Sequence, residues 1–164
     1  MTRAFWFGLL LVAALVQVTW APRLSLFGAF PNLVLVLVVG GTWLRGTRAG
    51  MGWAITGGLL LDLTAPGPLG PHALALLAGA YGVGFWSRNV DASDVLQPVL
   101  ATGLATVVYS LVLIGSDDTL GLPVPQLSLA AGLTAAAIAY NAALMLPLAL
   151  ILKNLQPLPA RARA

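Results

Sequence analysis

Apolar residues along this chain fall into long continuous runs separated by short polar links, with no two-residue alternation. That pattern argues for helices and against the strands of a membrane barrel. The first run, Ala4 to Ala21, lies between Arg3 and Arg23. At ~1.5 Å per residue it is about long enough to cross the ~30 Å hydrocarbon core of a bilayer. A signal peptide cut after Thr19-Trp20-Ala21 is the competing reading. Pro22 would then follow the cut, and the apolar stretch exceeds the usual ~7–15 residues. The second run begins at Leu24 and ends at Arg45. Pro31 suits the first turn of its helix, where a missing N–H is harmless. Asn32 then lies near one membrane face, and Trp43 marks the other, with Arg45 and Arg48 beyond it.

The third run, Gly50 to Leu63, is short and glycine-rich. Gly50, Ala54, Gly57, Gly58 and Leu61 lie on or beside one helical face, a spacing that lets helix backbones approach closely. Asp62 follows Gly58 by one turn and projects from that close-packed side. The Pro/Gly turn A-P-G-P-L-G comes next. The fourth run starts near His72 and ends at Trp86-Ser87-Arg88, with the small-residue pairs Ala75/Gly79, Ala78/Gly82 and Ala80/Gly84. Almost every side of it can take a neighbour, which predicts a central helix. The fifth, Val95 to Gly115, carries Thr102, Thr106, Tyr109 and Ser110, with Pro98 in its first turn. Asp91 and Asp94 are expected to shape its start, and Asp117 and Asp118 to be solvated loop charges. The sixth runs from Gln126 to Leu152, with Asn141 near its middle as an interhelical hydrogen-bonding residue and Pro147 as a kink.

Composition turns these runs into a membrane reading. Only 8% of the 164 residues are charged and 59% are hydrophobic, against about 25% charged in a soluble domain. Lipid must be the main solvent, and spanning segments must be helices or closed barrels. The expected fold is an all-α membrane protein: one six-helix transmembrane domain over residues 1–152, then a cytoplasmic basic tail over 153–164. The charges set its orientation. With the N-terminus inside, the inner segments hold Arg3, Arg45, Arg48, Arg88, Lys153, Arg161 and Arg163, and the outer ones only Arg23. That bias predicts both termini in the cytoplasm. Basic residues scattered at helix ends also argue against a nucleic-acid face. No cysteine is present, so disulfides and thiol chemistry are excluded.

This topology gathers Arg23, Asn32, Asp62 and His72 near the outer boundary. Asp62 stands at a helix C-terminus, where the macrodipole disfavours negative charge, and so calls for a donor. Arg23, His72, Asn32 and the backbone of the Pro/Gly turn are the candidates. Three roles stay open for Asp62: a hydrated interfacial carboxylate, a lock that pins the turn, or a ligand or proton site. His72 reads as a polar helix start or a ligand.

The run P-N-L-V-L-V-L-V-V at Pro31–Val39, then G-L-L-L-D-L at Gly58–Leu63, then G-P-L-G at Gly67–Gly70 with A-L-A-L-L following, resembles the MreD family of rod shape-determining membrane proteins. The motifs cover about Phe30 to Arg88, and Asn32 departs from the acidic residue found in many relatives. The resemblance implies a non-catalytic scaffold of the bacterial inner membrane. It would bind MreC, and through the complex link MreB filaments to RodA and its partner transpeptidase. It also implies a fold similar to the substrate-binding subunits of energy-coupling-factor transporters.

The residues agree with a scaffold. No H-E-x-x-H or G-x-S-x-G motif occurs, and no cofactor or metal is expected. The small residues Gly57, Gly58, Ala75, Gly79 and Gly82 suit a packing face, and a groove on the third or fourth helix is expected to receive MreC. The alternative is a vitamin-binding transporter subunit, which needs an outward cavity with convergent polar groups. An enzyme resembling lipoprotein signal peptidases would pair Asp62 with Asp117 or Asp118, but the Asn-rich motifs around such a dyad are missing.

Overall fold

The computed structural model describes residues 3–20, 23, 25, 28–65, 67–90 and 94–155. Within them the apolar runs form six helices: α1 (Arg3–Thr19), α2 (Leu33–Arg45), α3 (Thr47–Thr64), α4 (Pro71–Trp86), α5 (Leu96–Thr119) and α6 (Leu127–Leu155). Two of them, α5 and α6, are long and apolar enough to cross a membrane, over Leu96–Thr119 and Leu127–Ile151. Helices α1 and α2 are shorter apolar segments.

Local chemistry sets the boundaries. Asn32 is the N-cap of α2, and its side chain accepts from the Leu35 N–H. Pro31 therefore lies just outside the helix instead of in its first turn. Gly46, at φ +82°, is the whole link between α2 and α3. A side chain is disfavoured in that conformation. Proline opens α4 at its first position, where no N–H is needed. The Asp94 carboxylate accepts from the Leu96 N–H at the start of α5. Asp91 lies outside the described residues, as do Arg161 and Arg163 of the tail.

Helix α5 continues past Gly115 to Thr119, so Asp117 and Asp118 are helical and not loop charges. The Ser116 hydroxyl donates to the Val112 carbonyl and Thr119 to Ser116, which keeps the last turn closed. Gly121, at φ +68°, donates its N–H to the Asp118 carbonyl, in the manner of a glycine that terminates a helix. Helix α6 runs through Pro147 without ending.

The central helix is α2. It touches all five others, whereas α4 touches α2, α3 and α5. The difference lies in which faces are filled. Valine-rich α2 is buried from Val34 to Val36 and again from Val38 to Trp43. Helix α4 leaves Leu74, Tyr81 and Phe85 exposed.

Small residues are what let these helices close on one another. A Cβ on Gly57 would meet Val34 at 2.6 Å, and one on Gly58 would run into the Ala73 backbone. Ala75 is fully buried, and Gly79 faces Ala105 of α5, which a Cβ would meet at 3.6 Å. The chain's own helices thus occupy the small-residue faces on which a partner's groove was expected. Among Gly57, Gly58, Gly79 and Gly82, only Gly82 has nothing within 4 Å of an added Cβ. At the other end of the bundle the Trp6 and Trp53 rings stack at 4.3 Å. The Arg45 guanidinium lies 5.7 Å from the first ring and 6.0 Å from the second, within cation–π range.

Candidate functional site

Asp62 sits one turn beyond Gly58, where α3 lies closest to α4, and is 3% exposed. Its two oxygens accept from the first free backbone N–H groups of α4: His72 N–H to Oδ1 at 2.9 Å and Ala73 N–H to Oδ2 at 3.2 Å. A helix N-terminus presents unpaired N–H groups and the positive end of its dipole. The carboxylate at the end of α3 thus caps the helix that follows, across the Pro/Gly turn. The unfavourable dipole of α3 is outweighed by direct, charge-assisted bonds to α4.

From His72 the bonding continues around the bundle. Its Nδ1 and the Tyr109 hydroxyl share a 2.6 Å hydrogen bond, with the rings stacked at 6.0 Å. The Asn32 N–H donates to Asn141 Oδ1 at 2.8 Å, and Asn141 Nδ2 donates to the Thr106 hydroxyl at 3.0 Å. Gln17 of α1 accepts from the Val34 N–H of α2. Every helix is tied into this belt at one end of the bundle. Buried polar groups left without partners would be costly, and here each bond answers another helix's free group. Asn141 is 1% exposed and joins α2, α5 and α6. Replacing it with leucine should lower stability by about 1 kcal/mol, the usual scale for interhelical bonds in membranes. Thermal unfolding of the detergent-solubilised protein measures this.

Two cavities open beside the belt. One, about 300 Å³, is lined by Asp62, His72, Asp117 and the loop residues Gly67, Pro68 and Pro123. The second, about 320 Å³, has Asn32, Tyr109 and Asn141 on its polar side and Phe30, Ile114 and Leu133 on its apolar side. His72, Leu113 and Asp117 line both. The carboxylates of Asp62 and Asp117 both act on the His72 ring. Among the described residues, no group of three or more His, Cys, Asp or Glu side chains is placed to hold a metal ion.

Of the four residues expected at the outer boundary, the structure joins Asp62 to His72 directly, and Asn32 to the same belt through Asn141 and Thr106 of α5. Arg23 stands exposed and takes no part in the belt. The donor for Asp62 is backbone, as one of the candidates had it, but from the start of α4. Gln17, Thr106 and Tyr109 are site residues that were not assigned to the outer cluster from sequence, although each is an uncharged polar group within an apolar run. Asp117 was set beside Asp62 only in the enzyme alternative and otherwise expected as a loop charge, because the last turn of α5 was unforeseen.

One protein family, described as rod shape-determining protein MreD, matches residues 2–155. No curated protein and no solved structure matches the chain.

Proposed function

The chain belongs to the MreD family of rod shape-determining proteins, and from that premise we propose that it is a non-catalytic scaffold of the bacterial cell-elongation machinery. In this reading it crosses the inner membrane six times with both termini cytoplasmic, in a bundle like that of energy-coupling-factor substrate-binding subunits. It binds MreC and so helps couple MreB filaments to peptidoglycan synthesis by RodA and its transpeptidase partner. The Asp62 end of the bundle is then the outer face, where MreC's extracytoplasmic chain emerges.

The observation that carries the scaffold reading is the engagement of the polar groups. Both oxygens of Asp62 are held by α4 backbone N–H groups, and both polar atoms of the Asn141 side chain are bonded. With both oxygens bonded to backbone, the Asp62 carboxylate fixes the start of α4 against α3, a structural task in keeping with a scaffold. The same bonds hold a concave outer surface in a fixed shape, which is what a binding partner needs. With Gly57, Gly58 and Gly79 packed inside the bundle, the double cavity replaces the α3–α4 groove as the docking surface for MreC.

The test is affinity purification of the tagged, intact chain from native membranes in mild detergent. MreC is expected as the main enriched protein. Its absence, with a vitamin-like small molecule retained instead, would overturn the scaffold in favour of a transporter subunit.

A further inference from the structure

We propose that the waist between the two outer cavities binds a basic side chain, lysine or arginine, carried by the extracytoplasmic segment of the partner. This rests on the scaffold reading and adds the chemistry of recognition to it. Asp117 lines both cavities, so a chain laid across them passes its carboxylate. Its charge acts on the His72 ring, and among the described residues the carboxylate takes no hydrogen bond or ion pair. Asp62 is already engaged by α4, which leaves Asp117 as the acceptor still open.

Charge complementarity sets the sign of the guest. Among the described residues the cavity walls hold the two carboxylates of Asp62 and Asp117, the His72 imidazole between them in both linings, and no lysine or arginine. Arg23 lies outside both. Charges in a cleft with low-dielectric walls act more strongly than on an open surface. Single-sign clefts attract the opposite charge and repel their own. The shape of the mouth sets the direction of approach. Loop residues line both cavities, Gly67, Pro68 and Pro123 the first and Gly28 and Pro125 the second, so both reach the loop end of the bundle, where a guest comes from the aqueous side. Phe30, Ile114 and Leu133 offer apolar wall for residues flanking the cation. Together the cavities fall within the ~300–1,000 Å³ typical of ligand sites, room for a short segment and not a helix.

The experiment is co-purification of full-length MreC with the full-length chain at low and high salt, comparing wild type, Asp117→Asn, Asp117→Lys and Asp117→Glu. Asp118→Asn, at an exposed neighbour, is the control. Recovery should fall about tenfold in Asp117→Asn and further in Asp117→Lys, persist in Asp117→Glu, and be unchanged in Asp118→Asn. Wild-type recovery should itself fall with salt. That salt series keeps the proposal testable should a variant fail to fold. Salt-indifferent wild-type binding, or full recovery with Asp117→Asn, would overturn the proposal and leave the scaffold standing. Failure of the wild type to recover MreC would remove both. Loss of a co-purifying amino-lipid from Asp117→Asn, with MreC retained, would assign the cation to the bilayer and overturn the proposal.

Discussion

Gly58→Leu should yield no folded, monodisperse protein, while Gly82→Leu should behave as the wild type. Both positions are glycines in helices of the same hairpin, and the sequence gives them similar standing. Their surroundings differ. A Cβ at Gly58 runs into the backbone N and Cα of Ala73, which cannot swing aside as a side-chain tip can. Leucine would force α3 and α4 apart at the point where Asp62 grips His72 and Ala73. Overpacking alone costs about 1–3 kcal/mol. Releasing two buried N–H groups adds about 1–3 kcal/mol each. The sum approaches the ~5–15 kcal/mol that holds an ordinary domain together. An added Cβ at Gly82 meets nothing within 4 Å, and leucine is the better helix former. Size-exclusion profiles of the solubilised variants, followed by rescue of rod shape in cells lacking the native protein, measure the contrast. Equal profiles for the two would mean that α3 and α4 do not touch as described.

The hydrophobic pattern was enough to place all six helices, because each apolar run, even the short third one, is continuous and bounded by proline, glycine or charge. Asp62 was legible as a residue needing a donor, since a lone acid in an apolar helix has few tolerable surroundings. Which of the candidate donors it takes was not, because a backbone N–H belongs to every residue and leaves no mark in sequence. The centrality of α2 was equally hidden. Small residues on α4 advertise close approach, but branched side chains of the kind that fill α2 suit a lipid face or a buried core alike. The end of α5 was misread because Ser116, Asp117, Asp118 and Thr119 look like a loop by composition. Hydroxyl bonds back to the preceding turn, Ser116 to Val112 and Thr119 to Ser116, carry the helix through them and bring Asp117 into the cavities.

Asp62→Ala should lower stability by about 2–4 kcal/mol, the joint effect of two orphaned N–H groups and a lost helix cap. The site is 3% exposed, so water has little access to replace the carboxylate. Asp62→Asn keeps one oxygen but turns an amide donor towards an N–H that also donates, and loses the charge that favours the start of α4. It should fall between alanine and wild type. Asp118→Asn, on the exposed side of α5, should melt as the wild type does. The ordering wild type, asparagine, alanine in thermal unfolding, followed by intrinsic tryptophan fluorescence, is the signature of a cap. An unchanged alanine profile would instead mean a carboxylate hydrated at the interface. The functional consequence is separable from stability. Asp62 holds the start of α4, and with it His72, against the cavity that Asp117 lines. At a temperature where Asp62→Ala is still folded, MreC recovery should therefore already fall. Undiminished recovery there would confine Asp62 to holding the turn and leave recognition to other groups.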